Sequence, residues 1–292
     1  MIWIYTVAES GELQARDADS LEELRGLGEE VGWFWIDFMD PSDEELKIVS
    51  GLLEESEITE DISRHKIFSH PERAKDYLLF SIPQALFKNG LKTFPIYVFT
   101  KDNSLLTIRN GYSSRSIKNT LKTFEDCVGK ICTGPVNSSF ILGRLFHETS
   151  NENLNAVMAF RGNVDEIEQK TFENPADKNI SPLIFAAKRE ISAFERILWA
   201  QKELMFRVSE GVIPTLRSSE EIRSSLNHPI NNISRELSIL DSHNKALDNI
   251  LSLQKLGTIH RFEKSLVRLG IIALVISAIM IILKIDIFKL LF

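Results

Sequence analysis

The spacing of apolar positions changes twice along the chain. Up to Ile108 the apolar residues come in short runs rich in β-branched and aromatic types, broken by Gly, Pro, Asn and Asp. Such runs predict strands joined by turns. Ile2, Ile4 and Val7 mark the first run, and residues 33–38 (WFWIDF) the second. Between them, Asp19 and Ser20 precede LEELRGLGEE, which predicts a short capped helix. Asp40-Pro41-Ser42 stops the second strand, and Ser42 with Glu45 forms a capping box opening a helix over 43–54. A further short helix is predicted over 57–64. Residues 77–87 read as a long strand, Asn89-Gly90 as a hairpin turn and 91–100 as the returning strand. Asp102-Asn103 turns again into 104–108, giving an antiparallel meander. Pro83 and Pro95 each lack a ladder donor and are expected at edges or bulges. A helix over 116–124 completes an α/β (or α+β) domain, a sheet covered by helices.

Beyond Asn137 the strand pattern is gone and the apolar residues step by three and four. Gly134-Pro135 ends the first domain. Ile141, Leu145, Leu154, Val157, Val164 and Ile167 predict a helix over 138–172, broken at Asn174-Pro175. Ser181-Pro182 supplies an N-cap and a first-turn proline for the next helix, which runs to Glu210 and stops at Gly211. Ser218 with Glu221 forms a second capping box. Ile222, Leu226, Ile230, Ile233, Leu237, Leu240, Leu247 and Leu251 then define a long helix. Continued through Leu283 it would cover about 65 residues and reach about 100 Å. Pro229 is expected to kink it, or to mark its true start with Asn227 as cap. Gly257 is a second weak point. The candidate seam between copies is Ile233, Leu237, Leu240, Asn244, Leu247 and Leu251. Asn244 either fixes register on that seam or faces solvent. A helix this long cannot bury both faces within its own chain, so self-association is expected.

The third pattern is residues 269–283, LGIIALVISAIMIIL, with no charge and roughly ten Leu, Ile or Val residues. Transfer of these into a bilayer is favourable by roughly 3 to 6 kcal/mol. The run is shorter than the ~20 residues of a membrane span. Residues 266–287 are long enough if Arg268 and Lys284 snorkel to the two interfaces. A buried core helix is the alternative, but a core helix normally shows a polar face, and here only Gly270, Ser277 and small Ala residues interrupt the apolar pattern. Lys255, Arg261, Lys264 and Arg268 precede the span, whereas Lys284 and Lys289 follow it with Asp286 between them. This balance places the long N-terminal part in the cytoplasm. Too few residues follow Leu283 for a second span, so a single pass is expected. The resulting organisation is a cytoplasmic α/β domain (1–134), a helical hairpin region (135–217), a stalk helix (218–265), a transmembrane helix (266–287) and a short tail (288–292).

Composition narrows the function. The 292 residues carry a net charge of −7, which argues against a general nucleic-acid binder. The opening MIWIYTVAES has neither a basic n-region nor a long apolar run, so it is not a secretory signal. Cys127 and Cys132 lack a second Cys or His pair for a zinc site and read as ordinary thiols of a reduced compartment. The six histidines are scattered, and HExxH, GxSxG and a glycine-rich phosphate loop are absent from the sequence. Nothing here makes a case for an enzyme. Arg64, His65, His70 and Arg73 would suit an anion or simply form a solvated basic loop. Glu54, Glu55, Glu57, Glu60 and Asp61 would hold a loose cation or form a solvated helix face.

Taken together, the chain resembles the CorA-type divalent-cation transporters. Trp33-Phe34-Trp35-Ile36-Asp37, with Pro41 and Glu44-Glu45-Leu46 after it, is similar to the family's early strand and helix. ERAKDYLLFSI (72–82) is similar to its motif of a basic residue before an aromatic strand, and Leu247-Asp248-Asn249-Ile250-Leu251-Ser252 to its LD-x-x-LS stalk run. Three helices, the last becoming the span, follow the family's order. The resemblance implies transport of Mg²⁺ or a related ion by a homo-oligomer, a pentamer in the family pattern. It also makes Mg²⁺ a possible transported or regulatory ion. The family's Gly-Met-Asn tripeptide does not occur in this sequence. Ungapped placement puts Ile287-Phe288-Lys289 there instead. A ring of Lys289 ammonium groups at the entrance would repel a divalent cation. The resemblance also implies regulatory carboxylates between neighbouring cytoplasmic domains, but near the matching part of the stalk helix stand Ser224 and Asn227, and Lys88-Asn89 offers no acid in the hairpin. Gly270 and Ser277 are candidate pore-lining residues. The competing expectation is a non-conducting, membrane-anchored scaffold or sensor that keeps the cytoplasmic fold.

Overall fold

The computed structural model describes residues 1–7, 13–18, 24, 33–54, 57–64, 71–74, 76–87, 90–101, 104–128, 138–211 and 220–291. Its strands are β1 (Ile2–Val7), β2 (Leu13–Asp17), β3 (Phe34–Met39), β4 (Glu72–Ala74), β5 (Tyr77–Phe87), β6 (Leu91–Lys101) and β7 (Ser104–Arg109). Its helices are α1 (Asp43–Leu53), α2 (Glu57–Ser63), α3 (Ser114–Val128), α4 (Ser138–Glu173), α5 (Ile180–Ser209) and α6 (Glu220–Leu291). Contacts group the chain into two compact units. The first joins Met1–Phe160 to Glu190–Asp241, and the second joins Arg161–Arg189 to Ser242–Phe292.

In the first unit the strands form one sheet in the order β2-β1-β3-β7-β6-β5-β4. The expected meander is present as β5-β6-β7. The pairing of β3 with β7 is parallel, Asp37 beside Thr107 and Met39 beside Arg109, and it joins the opening strands to the meander. β2 and β4, which the spacing of apolar residues did not reveal, are short edge strands. Val49 and Leu53 of α1 and Ile62 of α2 are buried in one core cluster with Ile4, Phe38, Phe99 and Ile108 of the sheet. β7 is buried at every position, as a strand covered on both faces should be. Pro83 and Pro95 lie opposite each other in the β5–β6 ladder. β4 reaches only as far as Leu79 and β7 only as far as Tyr97, so both prolines occupy the open side of their strand. There a missing N–H costs nothing. Gly90 follows β5 at φ +110°, a conformation that glycine adopts without strain. Asn89, Asp102-Asn103, Gly134-Pro135, Ser218 of the second capping box and, apart from the buried helical Leu24, the helix expected over 21–30 lie outside the described residues.

The capping box at α1 forms as expected. Ser42 Oγ accepts from Glu45 N at 3.2 Å, and Glu45 Oε2 accepts from Ser42 N at 2.7 Å. The start of α5 differs from expectation by two residues. The helix begins at Ile180, and in the turn before it Asp177 Oδ1 accepts from Asn179 N at 2.9 Å. Ser181 and Pro182 are therefore inside the first turn, where proline is still tolerated. Pro229 neither starts nor ends α6; it lies within one 72-residue helix. Leu226 and Ile233 are fully buried on either side of it, and their packing offsets the ~3 kcal/mol that an interior proline costs. Also in the first unit, Phe160 of α4 stacks on Phe194 of α5 at 5.6 Å and meets Phe87 of β5 at 4.5 Å.

The second unit holds the C-terminal part of α4, the N-terminal part of α5 and the C-terminal part of α6. Gly257 of α6 stands against Pro175 in the turn between α4 and α5, where an added Cβ would collide with Pro175 Cβ. Glycine here serves a close approach and does not break the helix. Gln254, 6 % exposed, accepts from Ser181 Oγ at 2.5 Å and donates to the Asp177 carbonyl at 3.0 Å. Lys188 pairs with Asp248 at 2.6 Å.

Candidate functional site

The apolar segment of α6 is the first candidate. Among the described residues, α6 is the one helix long and apolar enough to cross a membrane, and none of its apolar window is buried within the chain. From Thr258 to Ile281 every side chain is exposed, Leu274 to 72 %. A run of Leu, Ile and Val exposed on all sides has no stable home in water, so its surroundings are lipid or other apolar chains. Gly270 has open space where a Cβ would stand, which leaves room for another helix to approach. Ser277 Oγ donates to the Ala273 carbonyl at 2.8 Å, so its hydroxyl is satisfied inside its own helix. Gly270 and Ser277, seven residues apart, share a face. Arg268 is exposed at the start of the segment. Lys284 and Lys289 lie on the helix, their side chains outside the described residues.

The candidate seam residues divide by burial within the single chain. Ile233, Leu240 and Leu247 are fully buried within the single chain, and Leu237, Asn244 and Leu251 are half-buried. Their rhythm is that of a helix packed in its own bundle. Leu253 and Leu256, beyond the seam, are the exposed apolar residues, the latter to 63 %.

A buried polar system in the first unit was not visible in the sequence. Glu236 of α6 is 1 % exposed. Burial pushes its carboxyl up to about 7, against the opposing pull of Arg235 and of a hydrogen bond from Asn153. Asn153 Nδ2 also donates to Gln201 Oε1 at 2.6 Å, and Gln201 Nε2 donates to the Pro83 carbonyl. Glu236 Oε2 is buried with no hydrogen-bond partner among the described residues. Nearby in sequence, Glu152 of α4 accepts from Ser116 Oγ at 2.6 Å. Burial raises its carboxyl above the usual range, against the Ser116 bond and Arg115.

In the sheet, Arg109 donates Nη2 to Asp37 Oδ2 at 2.7 Å and Nε to Asp37 Oδ1 at 3.1 Å. Trp35 Nε1 donates to Thr107 Oγ1, which donates to Asp37 Oδ1 at 2.6 Å. Every polar group here has a partner, so this network joins the parallel β3–β7 pair rather than forming a reactive centre.

Other sequence candidates separate. Arg64 pairs with Glu60 of α2 at 3.3 Å, and His65 and His70 lie outside the described residues. Ser224 and Asn227 are exposed on α6, and Lys88-Asn89 fall outside the described residues. His147 and His228, far apart in sequence, come together with ring centroids 5.1 Å apart. Burial lowers the His147 pKa. Among the described residues no group of three or more His, Cys, Asp or Glu side chains is placed to hold a metal ion.

Comparison with known proteins gives a consistent picture. The chain is 22 % identical over 226 residues to the cobalt/magnesium transport protein CorA of Methanocaldococcus jannaschii. That match covers 73 % of this chain and 65 % of the relative, slightly under two thirds of its length. Among solved structures, the complete CorA magnesium transporter from Methanocaldococcus jannaschii aligns with a TM-score of 0.75 at 17 % identity, covering 93 % of this chain and 82 % of that one. The ZntB cytoplasmic domain from Vibrio parahaemolyticus aligns with a TM-score of 0.60 at 12 % identity, covering 90 % of this chain and 98 % of that one. At these identities the structures show a shared fold. The family model for the CorA-like Mg²⁺ transporter protein matches residues 30–281, most of the chain. The low identities mark it as divergent, but a match of this extent makes this chain a member of the CorA-like Mg²⁺ transporter protein family.

Proposed function

We propose that the chain moves Mg²⁺ or a related divalent cation across a membrane as a homo-oligomeric channel whose pore is lined by α6. The observation that carries this reading is the apolar segment of α6, exposed on every side and continuous with a helix whose N-terminal part is packed in the chain. Gly270 and Ser277 face the pore in this reading, and the N-terminal domain lies in the cytoplasm, on the side of Lys255, Arg261, Lys264 and Arg268. Contact between copies uses the exposed positions after Leu251, since Ile233, Leu240 and Leu247 before it are already buried. Family membership supports the oligomer, with a pentamer as the expected number.

A second reading, a non-conducting membrane-anchored sensor or scaffold, is favoured by two observations. By ungapped placement Lys289 stands where the family's tripeptide is expected, and Gly-Met-Asn itself does not occur in the sequence. Mg²⁺ uptake into liposomes holding the purified chain separates the two, with the oligomeric mass read in the same preparation. Uptake above empty liposomes is expected for a channel, and Lys289→Asn should increase it by removing a ring of positive charge. A well-folded oligomer without uptake would give the second reading preference.

A further inference from the structure

We propose that a cavity in the second unit, between the α4–α5 turn and α6, binds the phosphate headgroup of an anionic phospholipid. The cavity is about 830 Å³ and carries Lys178 on the turn, with Lys255 and Arg261 on α6. Among the described residues, none of those lining it is acidic, and none of these three cations is held in an ion pair. The carboxylates of Asp177, Asp248 and Glu263 have other contacts. Asp248 is paired with Lys188, Glu263 lies 3.7 Å from His260, and Asp177 Oδ1 accepts from Asn179 N.

The walls are fixed. Pro175 abuts Gly257 too closely for any Cβ. Gln254 bonds Ser181 on one side and the Asp177 carbonyl on the other. These contacts hold the turn that bears Lys178 across from the cations of α6, so the positive charge converges without a large ordering cost.

The position along α6 selects a lipid. This step rests on the reading of α6 as a membrane helix. At 1.5 Å per residue, Arg261 lies about 8 Å and Lys255 about 16 Å before Leu266, where the exposed apolar segment opens. Headgroups occupy about 5–8 Å on each side of the hydrocarbon. The membrane-side end of the cavity, at Arg261, therefore lies at headgroup level, and Lys255 lies further from the hydrocarbon. Ile259 and Phe262 also line the cavity and are exposed to 54 % and 65 %. They offer apolar surface to the glycerol and upper acyl carbons, which a free phosphate ion would not use.

The test is native mass spectrometry of the full-length chain in detergent, titrated with phosphatidylglycerol, phosphatidylcholine or inorganic phosphate. Phosphatidylglycerol should remain bound where phosphatidylcholine does not. The double variant Lys255→Gln/Arg261→Gln should weaken that binding about twentyfold. The double variant Lys118→Gln/Lys122→Gln, which removes two exposed charges from α3, should leave it unchanged. Equal retention of the two lipids by the parent chain overturns the proposal without recourse to any variant. So does retention of phosphatidylglycerol by Lys255→Gln/Arg261→Gln, or displacement of the lipid by inorganic phosphate at equal concentration. Flotation of the parent chain with vesicles reports separately on the membrane reading. A chain that does not float refutes that reading, whereas a chain that floats without lipid preference refutes only the headgroup site.

Discussion

The two halves of α6 share one secondary structure and differ in almost everything else. In the first half, Leu226, Ile233, Leu240 and Leu247 are fully buried, and exposed polar residues separate them. From Thr258 onward nothing described is buried, and beyond Arg268 almost nothing is polar. The first half is an amphipathic helix held by neighbours in its own chain. The second presents apolar surface all round, which is stable only in another solvent. Backbone hydrogen bonds within one helix suit both settings. The side-chain pattern alone assigns the solvent.

That contrast fixes where substitutions should act. The largest effect is expected in the buried half, where Leu240→Ala should lower stability by about 2–5 kcal/mol through lost burial and a cavity. Leu274→Ala, in the exposed half, should leave the melting of the N-terminal domain unchanged. Equal losses for the pair would erase the distinction. Thermal unfolding in detergent measures both.

Next comes Glu236, a titratable group in the buried half. Its folded pKa, about 7, lies above the unfolded value of 4.5. The unfolded chain therefore releases this proton first, and stability falls as pH rises from about 4.5 to about 7, then stays at the lower level. A gap of this size corresponds to about 3 kcal/mol. Glu236→Gln should remove that part of the pH dependence and stabilise the chain above pH 7. Denaturant titrations at pH 5 and pH 8 provide the check, and an unchanged slope against pH would show that Glu236 ionises freely in the folded state.

A smaller effect is expected at Gly257→Ala. The added methyl group collides with Pro175, and overpacking of this kind costs about 1–3 kcal/mol. It should appear as faster proteolysis at the 174–179 turn, with the melting of the sheet unchanged. The smallest effect is expected at Ser277→Ala. The Ser277 hydroxyl bonds only its own helix, so stability should move by less than about 0.5 kcal/mol.

The parts of the molecule that were legible in the sequence are those set by neighbours along the chain. Ser42 and Glu45 are three residues apart, and their capping box follows from local geometry. The meander follows from strand alternation and short turns. The apolar segment of α6 follows from composition. What was hidden depends on residues distant in sequence. Asp37 and Arg109 are 72 positions apart, and their pairing requires the parallel β3–β7 register, which no local signal announces. Glu236, Asn153 and Gln201 come from three helices and read singly as ordinary surface residues. A helix in its own bundle and a helix between copies show the same spacing, so spacing alone did not reveal that Ile233, Leu240 and Leu247 are buried within the single chain. Gly257 and Pro229, read as weak points, are tolerated because of what packs around them.

The claim that α6 changes solvent near Leu266 is tested most directly by alkylation of single-cysteine variants in the lipid-reconstituted chain, with Cys127 and Cys132 replaced. Cysteines at Thr258 and Glu263 should react quickly. Those at Ile272, Ile276 and Ile279, on the face away from Gly270 and Ser277, should be protected. A water-filled pore would make cysteines at Gly270 and Ser277 the reactive exceptions within the segment. Uniform fast alkylation from Thr258 through Ile281 would contradict the account, because a helix in water along that length is not a membrane helix.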